Sequence, residues 1–97
     1  MRITIGEIVV EWDANKDKTN LKKHRLSFET ASLVFADSHR IEIYDYKHST
    51  REDRYIVIGM VNKLITVVYT ERTKALRIIS ARIANAAERR AYHDKNH

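Results

Sequence analysis

The sequence predicts an α+β fold: a small antiparallel β-sheet of four to five strands, with two helices near the N-terminus and one at the C-terminus. Two patterns carry this reading. Two β-branched runs, "YIVIGMV" (Tyr55–Val61) and "LITVVYT" (Leu64–Thr70), are separated only by Asn62 and Lys63, the spacing of a tight hairpin with Asn where positive φ is tolerated. Upstream, Phe28, Ala31, Val34 and Phe35 recur at helical intervals and form one apolar stripe.

The elements follow in order. Ile3 to Trp12 alternates as a strand, with Gly6 as a bend or hairpin tip. Asp13 is placed to cap a helix from about Ala14 to His24. That helix holds Lys16, Lys18, Lys22 and Lys23 ahead of Arg25, against the single Asp17, and Leu21 is its one large apolar residue. Ser27 caps the second helix, which Asp37 and Ser38 end. "RIEIY" (Arg40–Tyr44) alternates as a strand. Tyr55–Val61 is apolar almost throughout, as a central strand buried on both faces would be. Between them "DYKHSTRED" (Asp45–Asp53) is the longest loop. "LRIISAR" (Leu76–Arg82) makes a fifth strand. Asn85 with Glu88 three residues later forms a capping-box start for a last helix, Ala86 to about Asp94.

With 97 residues the chain is expected to fold as one domain, residues 1–97. Its 43% hydrophobic and 32% charged content is that of a globular chain rather than a disordered one. Eighteen basic against 13 acidic residues leave +5 and a pI near 9.6, a balance that favours polyanions: nucleic acid or an acidic protein. The absence of cysteine excludes disulfides and thiolate metal sites, and it fits a cytoplasmic setting. No stretch reads as a targeting signal or a membrane span. His93 and His97 have the i, i+4 spacing of a metal pair, but no third ligand is evident, so no metal and no cofactor is expected.

The basic residues fall into two groups. One is the first helix. The other is Arg72, Lys74, Arg77, Arg82, Arg89 and Arg90; if both face the same way they track phosphates. Strict alternation in "RIISAR" puts Arg77, Ile79 and Ala81 on one face and Ile78, Ser80 and Arg82 on the other. Arginine holds a phosphate with a forked pair of donors and stabilises a pentavalent phosphorane, so Arg77 and Arg82 are the candidate phosphate ligands; solvated strand-end arginines are the plainer alternative.

A set of ordered motifs spans Glu11 to Tyr92: "EWDANK", Asn20 with Lys23-His24, "SFETA" with Val34-Phe35, "REDRYIVIG", "VVYTER", "RIISAR" and "ERRAY". With these the chain resembles the BrnT family of type II toxins. It departs from the family's usual pattern at Ala14, where the family has Pro, and at Arg25, where it has Gly. The resemblance implies a fold similar to the RelE-type ribonuclease toxins. It also implies metal-independent RNA cleavage that stops translation, and neutralisation by a ribbon-helix-helix BrnA-type antitoxin, through which alone the complex contacts operator DNA.

Such chemistry needs a base for the 2′-hydroxyl, a cation at the scissile phosphate and an acid for the 5′-oxygen. Histidine can carry either proton, which makes His24 a candidate, or it simply ends its helix. Tyr92 shares a face with Glu88 one helical turn away, and it either orients a phosphate or packs the last helix on the sheet. Lys18, Lys22, Lys23, Arg72 and Arg89 are candidate RNA contacts. Glu52 and Glu71 are either bases or surface ion-pair partners. Trp12 reads as core, with base stacking as the lesser alternative. A basic module that binds nucleic acid or an acidic protein without catalysis explains the charge equally well.

Overall fold

The computed structural model describes residues 1–96; His97, and with it the His93–His97 spacing, lies outside the described residues. The chain runs β1 (Arg2–Ile5), β2 (Ile8–Glu11), α1 (Ala14–His24), α2 (Phe28–Ala31), a 3-10 helix (Ser32–Ala36), β3 (Ile41–Tyr44), β4 (Tyr55–Val61), β5 (Lys63–Arg72), β6 (Ala75–Ile83) and α3 (Ala86–Lys95). The six strands form one sheet in the order β1-β2-β6-β5-β4-β3.

This corrects the expected four to five antiparallel strands. Gly6, at φ +61°, closes a hairpin and splits the first run into β1 and β2. The sheet is mixed, because β2 pairs parallel to β6 through Val10↔Leu76 and Glu11↔Arg77. The second N-terminal helix is also shorter than its stripe suggested. It is α-helical only to Ala31 and then tightens to 3-10 geometry. Ser32 Oγ donates to the Glu29 carbonyl at 2.6 Å, a local bond that competes with the α-helical ladder. The stripe itself faces inward, with Phe28, Ala31, Val34 and Phe35 all buried. The 3-10 helix lies directly on β4 at Gly59, where an added Cβ would stand 2.9 Å from Val34 Cβ.

α1, α2 and the 3-10 helix lie on one side of the sheet and α3 on the other. The larger core joins Trp12, Phe28, Val34 and Phe35 to Val10, Val57, Ile65, Val67, Tyr69, Ile78 and Ala81. A smaller one, under α3, joins Tyr92 and Ala84 to Ile41, Ile58 and Leu64. Trp12 belongs to the larger core and meets Phe28 edge-on, with ring centroids 6.4 Å apart.

The caps are as read from the sequence. Asp13 accepts from Asn15 N, Ser27 from Thr30 N, and Asn85 and Glu88 close a reciprocal capping box. The polar first helix is held by polar contacts. β6 pairs with β2 only near Leu76 and Arg77, so its remaining edge is open. Asn20, 6% exposed, closes it: its Nδ2 donates to the Ala81 carbonyl at 2.8 Å and its Oδ1 accepts from Ala81 N at 3.1 Å. Nδ2 also donates to the Leu26 carbonyl, and Asp17 accepts from Phe28 N. One amide thus replaces a missing strand, and a helix with little apolar surface is fixed without a hydrophobic stripe.

Candidate nucleic-acid interface

The sheet face opposite α1 is covered by α3 at one end only. Which β6 side chains reach that face is decided by a bulge. Val68 pairs with Ser80 and Tyr69 with Ile78, so Ile79 is extra. Arg77 and Arg82 are an odd number of positions apart, and strict alternation would put them on opposite faces. The bulge brings both to the open face: they pair with Thr70 and Thr66, while Ile65, Val67 and Tyr69 face the larger core. Ile78 and Ala81 both turn into that core. The expected grouping of Arg77 with Ala81 and of Ile78 with Arg82 is therefore corrected. Measured along β5, the two arginines stand roughly 13 Å apart at about 3.3 Å per residue.

Each of these arginines has a carboxylate. Arg82 forms a two-pronged pair with Glu88, Nη1 to Oε1 at 2.6 Å and Nη2 to Oε2 at 2.8 Å. Glu88 is also the capping-box glutamate of α3, accepting from Asn85 N. Burial raises the pKa of the Glu88 carboxyl, but hydrogen bonds from Arg82 and the Asn85 backbone outweigh it and hold the group below the usual range. The same pairing raises Arg82. Arg77 Nη1 donates to Glu11 at 2.7 Å, and with help from Arg2 it lowers the pKa of the Glu11 carboxyl.

Beside Arg82 the open face sinks into a groove of about 320 Å³, with Ile56, Val68 and Ile79 among its lining and His48, Arg54 and Arg82 around it. Arg54 makes no ion pair among the described residues, and its Nε is buried without a partner. His48 Nδ1 lies 2.9 Å from Asp45 Oδ2. A carboxylate only accepts, so Nδ1 is the donor of this bond and Nε2 is the ring nitrogen that Asp45 does not engage. The loop is pinned: Ser49 Oγ donates to the Asp45 carbonyl at 2.6 Å and accepts from Arg54 N, and Tyr44 donates to Asp53 at 2.7 Å.

Asp45, His48 and Arg54 were missed in the sequence. The signal was there, an Asp-x-x-His spacing, but it lay in the segment read as the longest loop, and only the β3–β4 pairing brings that loop against β6.

The residues singled out from the sequence are dispersed. His24 and Lys23 line a second cleft, between α1 and β6, which shares Ile79 and Ser80 with the groove. Lys18 and Lys22 lie on the outer side of α1 beside Leu21. Arg77 borders another concavity with Met1, Arg2, Glu11 and Trp12. Arg72 pairs with Glu52 at 3.7 Å near the β5–β6 turn, and Arg89 donates to the Ala84 carbonyl. Tyr92 is buried; its hydroxyl donates to Asp37 Oδ2 at 2.7 Å, and burial with that carboxylate pushes its pKa up to about 12. Among the described residues no group of three or more His, Asp or Glu side chains converges as a metal site, and no helix is long and apolar enough to cross a membrane.

Fold and face together define a class: a small mixed-sheet α+β protein whose open face carries paired arginines and a carboxylate-oriented imidazole. Residues 12–88 match the family described as ribonuclease toxin, BrnT, of type II toxin-antitoxin system, and the chain belongs to that family. It is similar to the Brucella abortus ribonuclease toxin BrnT, known from a 1.1 Å crystal structure, with 28% identity and a TM-score of 0.58 over 78% of this chain and 95% of that one. No curated protein sequence matches the chain.

Proposed function

We propose that the protein is a metal-independent endoribonuclease toxin that cleaves RNA in the groove beside β6. One observation carries the assignment: Arg82, the unpaired Arg54 and an Asp45-oriented His48 surround a single cavity. RNA supplies its own nucleophile, the 2′-hydroxyl, so the protein needs a proton acceptor and charge stabilisation rather than a nucleophile of its own. His48 Nε2 takes the 2′-hydroxyl proton while Asp45 holds the ring and stabilises the imidazolium, and the departing 5′-oxygen takes its proton from water. Arg54 and Arg82 bind the scissile phosphate and the charge that grows on the phosphorane. Arg82 exchanges a Glu88 oxygen for a phosphate oxygen when RNA binds. Proton transfer is thus placed at His48 rather than at His24. Arg77, tied to Glu11 further along the same face, contacts the strand away from the cleavage point. Tyr92, committed to Asp37, holds α3.

Family membership supports the wider reading. Cleavage of messenger RNA arrests translation in the cytoplasm, and a BrnA-type ribbon-helix-helix antitoxin neutralises the toxin and makes the operator DNA contacts.

Purified protein incubated with a long messenger RNA in EDTA should give discrete fragments ending in 2′,3′-cyclic phosphate. His48→Ala should lower the rate by about 10²–10⁴-fold, with an unchanged thermal midpoint because the ring is 61% exposed. RNA binding without cleavage would instead make the protein a binding module.

A further inference from the structure

The cleft between α1 and the open edge of β6 takes no part in the chemistry proposed above. Its volume is about 380 Å³, within the range of roughly 300–1,000 Å³ that ligand sites occupy. Lys16, Asn20, Lys23 and His24 line it from the helix, and Ile79 and Ser80 from the strand.

Its geometry distinguishes it from a surface gap. The helical wall is fixed, because Asn20 is bonded to both polar groups of Ala81 and to the Leu26 carbonyl. Lys16 and Lys23 make no ion pair among the described residues, in contrast to Arg77 and Arg82 on the open face. These two lysines stand seven positions apart, two helical turns, so they sit one above the other along the cleft. Lys18 and Lys22 point elsewhere, so the cations of α1 are divided between two surfaces. The cleft also adjoins the groove across β6, since the bulge residues Ile79 and Ser80 line both. A chain leaving the groove over this ridge enters the cleft directly.

Resting on the ribonuclease reading, we propose that the α1–β6 cleft is a second nucleotide subsite. It holds the nucleotide next to the scissile phosphate, with the base against Ile79 and the flanking phosphate between Lys16 and Lys23. Asn20 is spent on the β6 edge, so His24 and Asn15 are the groups left to read the base.

The test compares a dinucleotide, long enough for the groove alone, with a five-nucleotide RNA that also reaches the cleft. The wild-type protein should prefer the longer RNA in kcat/KM. Lys16→Glu with Lys23→Glu should cut that preference by about tenfold, the loss expected when roughly 1.4 kcal/mol of phosphate contact disappears. Lys63→Glu with Lys95→Glu, an equal charge change at the start of β5 and the end of α3, should leave most of it. Equal losses in the two double variants, or an equal fall on both substrates, would overturn the subsite. The same oligonucleotide with a 2′-deoxy sugar at the cleavage position cannot react, and its affinity for the three proteins tests the subsite separately from catalysis. If the wild-type protein cleaves neither RNA but the Lys16/Lys23 variant alone loses affinity, the ribonuclease reading fails and the subsite stands.

Discussion

Asn20 and Arg25 show how much single residues decide here. Asn20 is buried with three hydrogen bonds, all to backbone atoms that have no other partner in the secondary structure. Asn20→Ala should destabilise the protein by about 2–4 kcal/mol, because it strands the Ala81 amide and two carbonyls in a dry site. Asn20→Asp keeps the acceptor for Ala81 N but sets a second oxygen against the Ala81 and Leu26 carbonyls, so in denaturant titrations it should cost at least as much; a loss below about 1 kcal/mol for Asn20→Ala would mean the helix is held by something else. Arg25 ends α1 in the left-handed region, φ 57° and ψ 36°, with its N–H on the Leu21 carbonyl at 2.8 Å. That geometry costs a side-chain-bearing residue about 1–2 kcal/mol, whereas glycine adopts it freely. Arg25→Gly should therefore raise stability by about 0.5–1 kcal/mol, once the larger backbone entropy of glycine is subtracted. An unchanged or lower unfolding midpoint would show that the Arg25 side chain offsets its own strain.

At the scale of elements, what could be read in advance was what depends on neighbours in the chain. The Asp13, Ser27 and Asn85 caps, the Phe28–Phe35 stripe and the positive φ of Asn62 are set by contacts a few residues apart, and the structure has them all, although the turn is Asn62 alone because Lys63 already pairs with Val61. The β2–β6 pair joins segments far apart in the chain, and the Ile79 bulge breaks the register of the β5–β6 hairpin where the sequence shows only alternation; no local pattern announces either. The bulge also decides the site, because it alone places Arg77 and Arg82 on one face. α3 shows the same division. Its capping box was legible, but its docking through Tyr92 to Asp37, and through Asn96 Nδ2 to the His39 carbonyl, depends on the β3 side of the sheet. Burial and Asp37 raise Tyr92 from 10.0 to about 12, so folding favours its protonated form. That contribution is complete below pH 10 and is lost as the pH rises towards 12. Tyr92→Phe should lower stability at neutral pH by about 1 kcal/mol and flatten part of the alkaline loss, the remainder belonging to Tyr44, Tyr55 and Tyr69, which are raised as well. Unfolding curves from pH 7 to pH 11 for the two proteins check this, and identical alkaline slopes would remove Tyr92 as the anchor of α3.

Over the whole molecule the excess of +5 is not one patch. The open face carries arginines already matched to Glu11 and Glu88, which hold a phosphate only by exchanging a carboxylate for it. Lys18 and Lys22, on the outer side of α1, are bound to no carboxylate among the described residues and border neither the groove nor the α1–β6 cleft. Charges so placed draw a polyanion in from a distance and add little once it is seated. Lys18→Glu with Lys22→Glu removes two units of charge at each position, so the variant carries +1 instead of +5. Its association with RNA should be slower at low salt, with dissociation almost unchanged. Its plot of log affinity against log salt should flatten by about 0.7 for each phosphate contact to a single strand that is lost. An acidic antitoxin segment would meet the same two lysines and should show the same asymmetry between rates, since exposed charge governs encounter more than residence. Stopped-flow association at several salt concentrations, with RNA and then with the antitoxin, measures both. If neither the slope nor the association rate changes, the outer face of α1 does no more than shield the β6 edge that Asn20 closes.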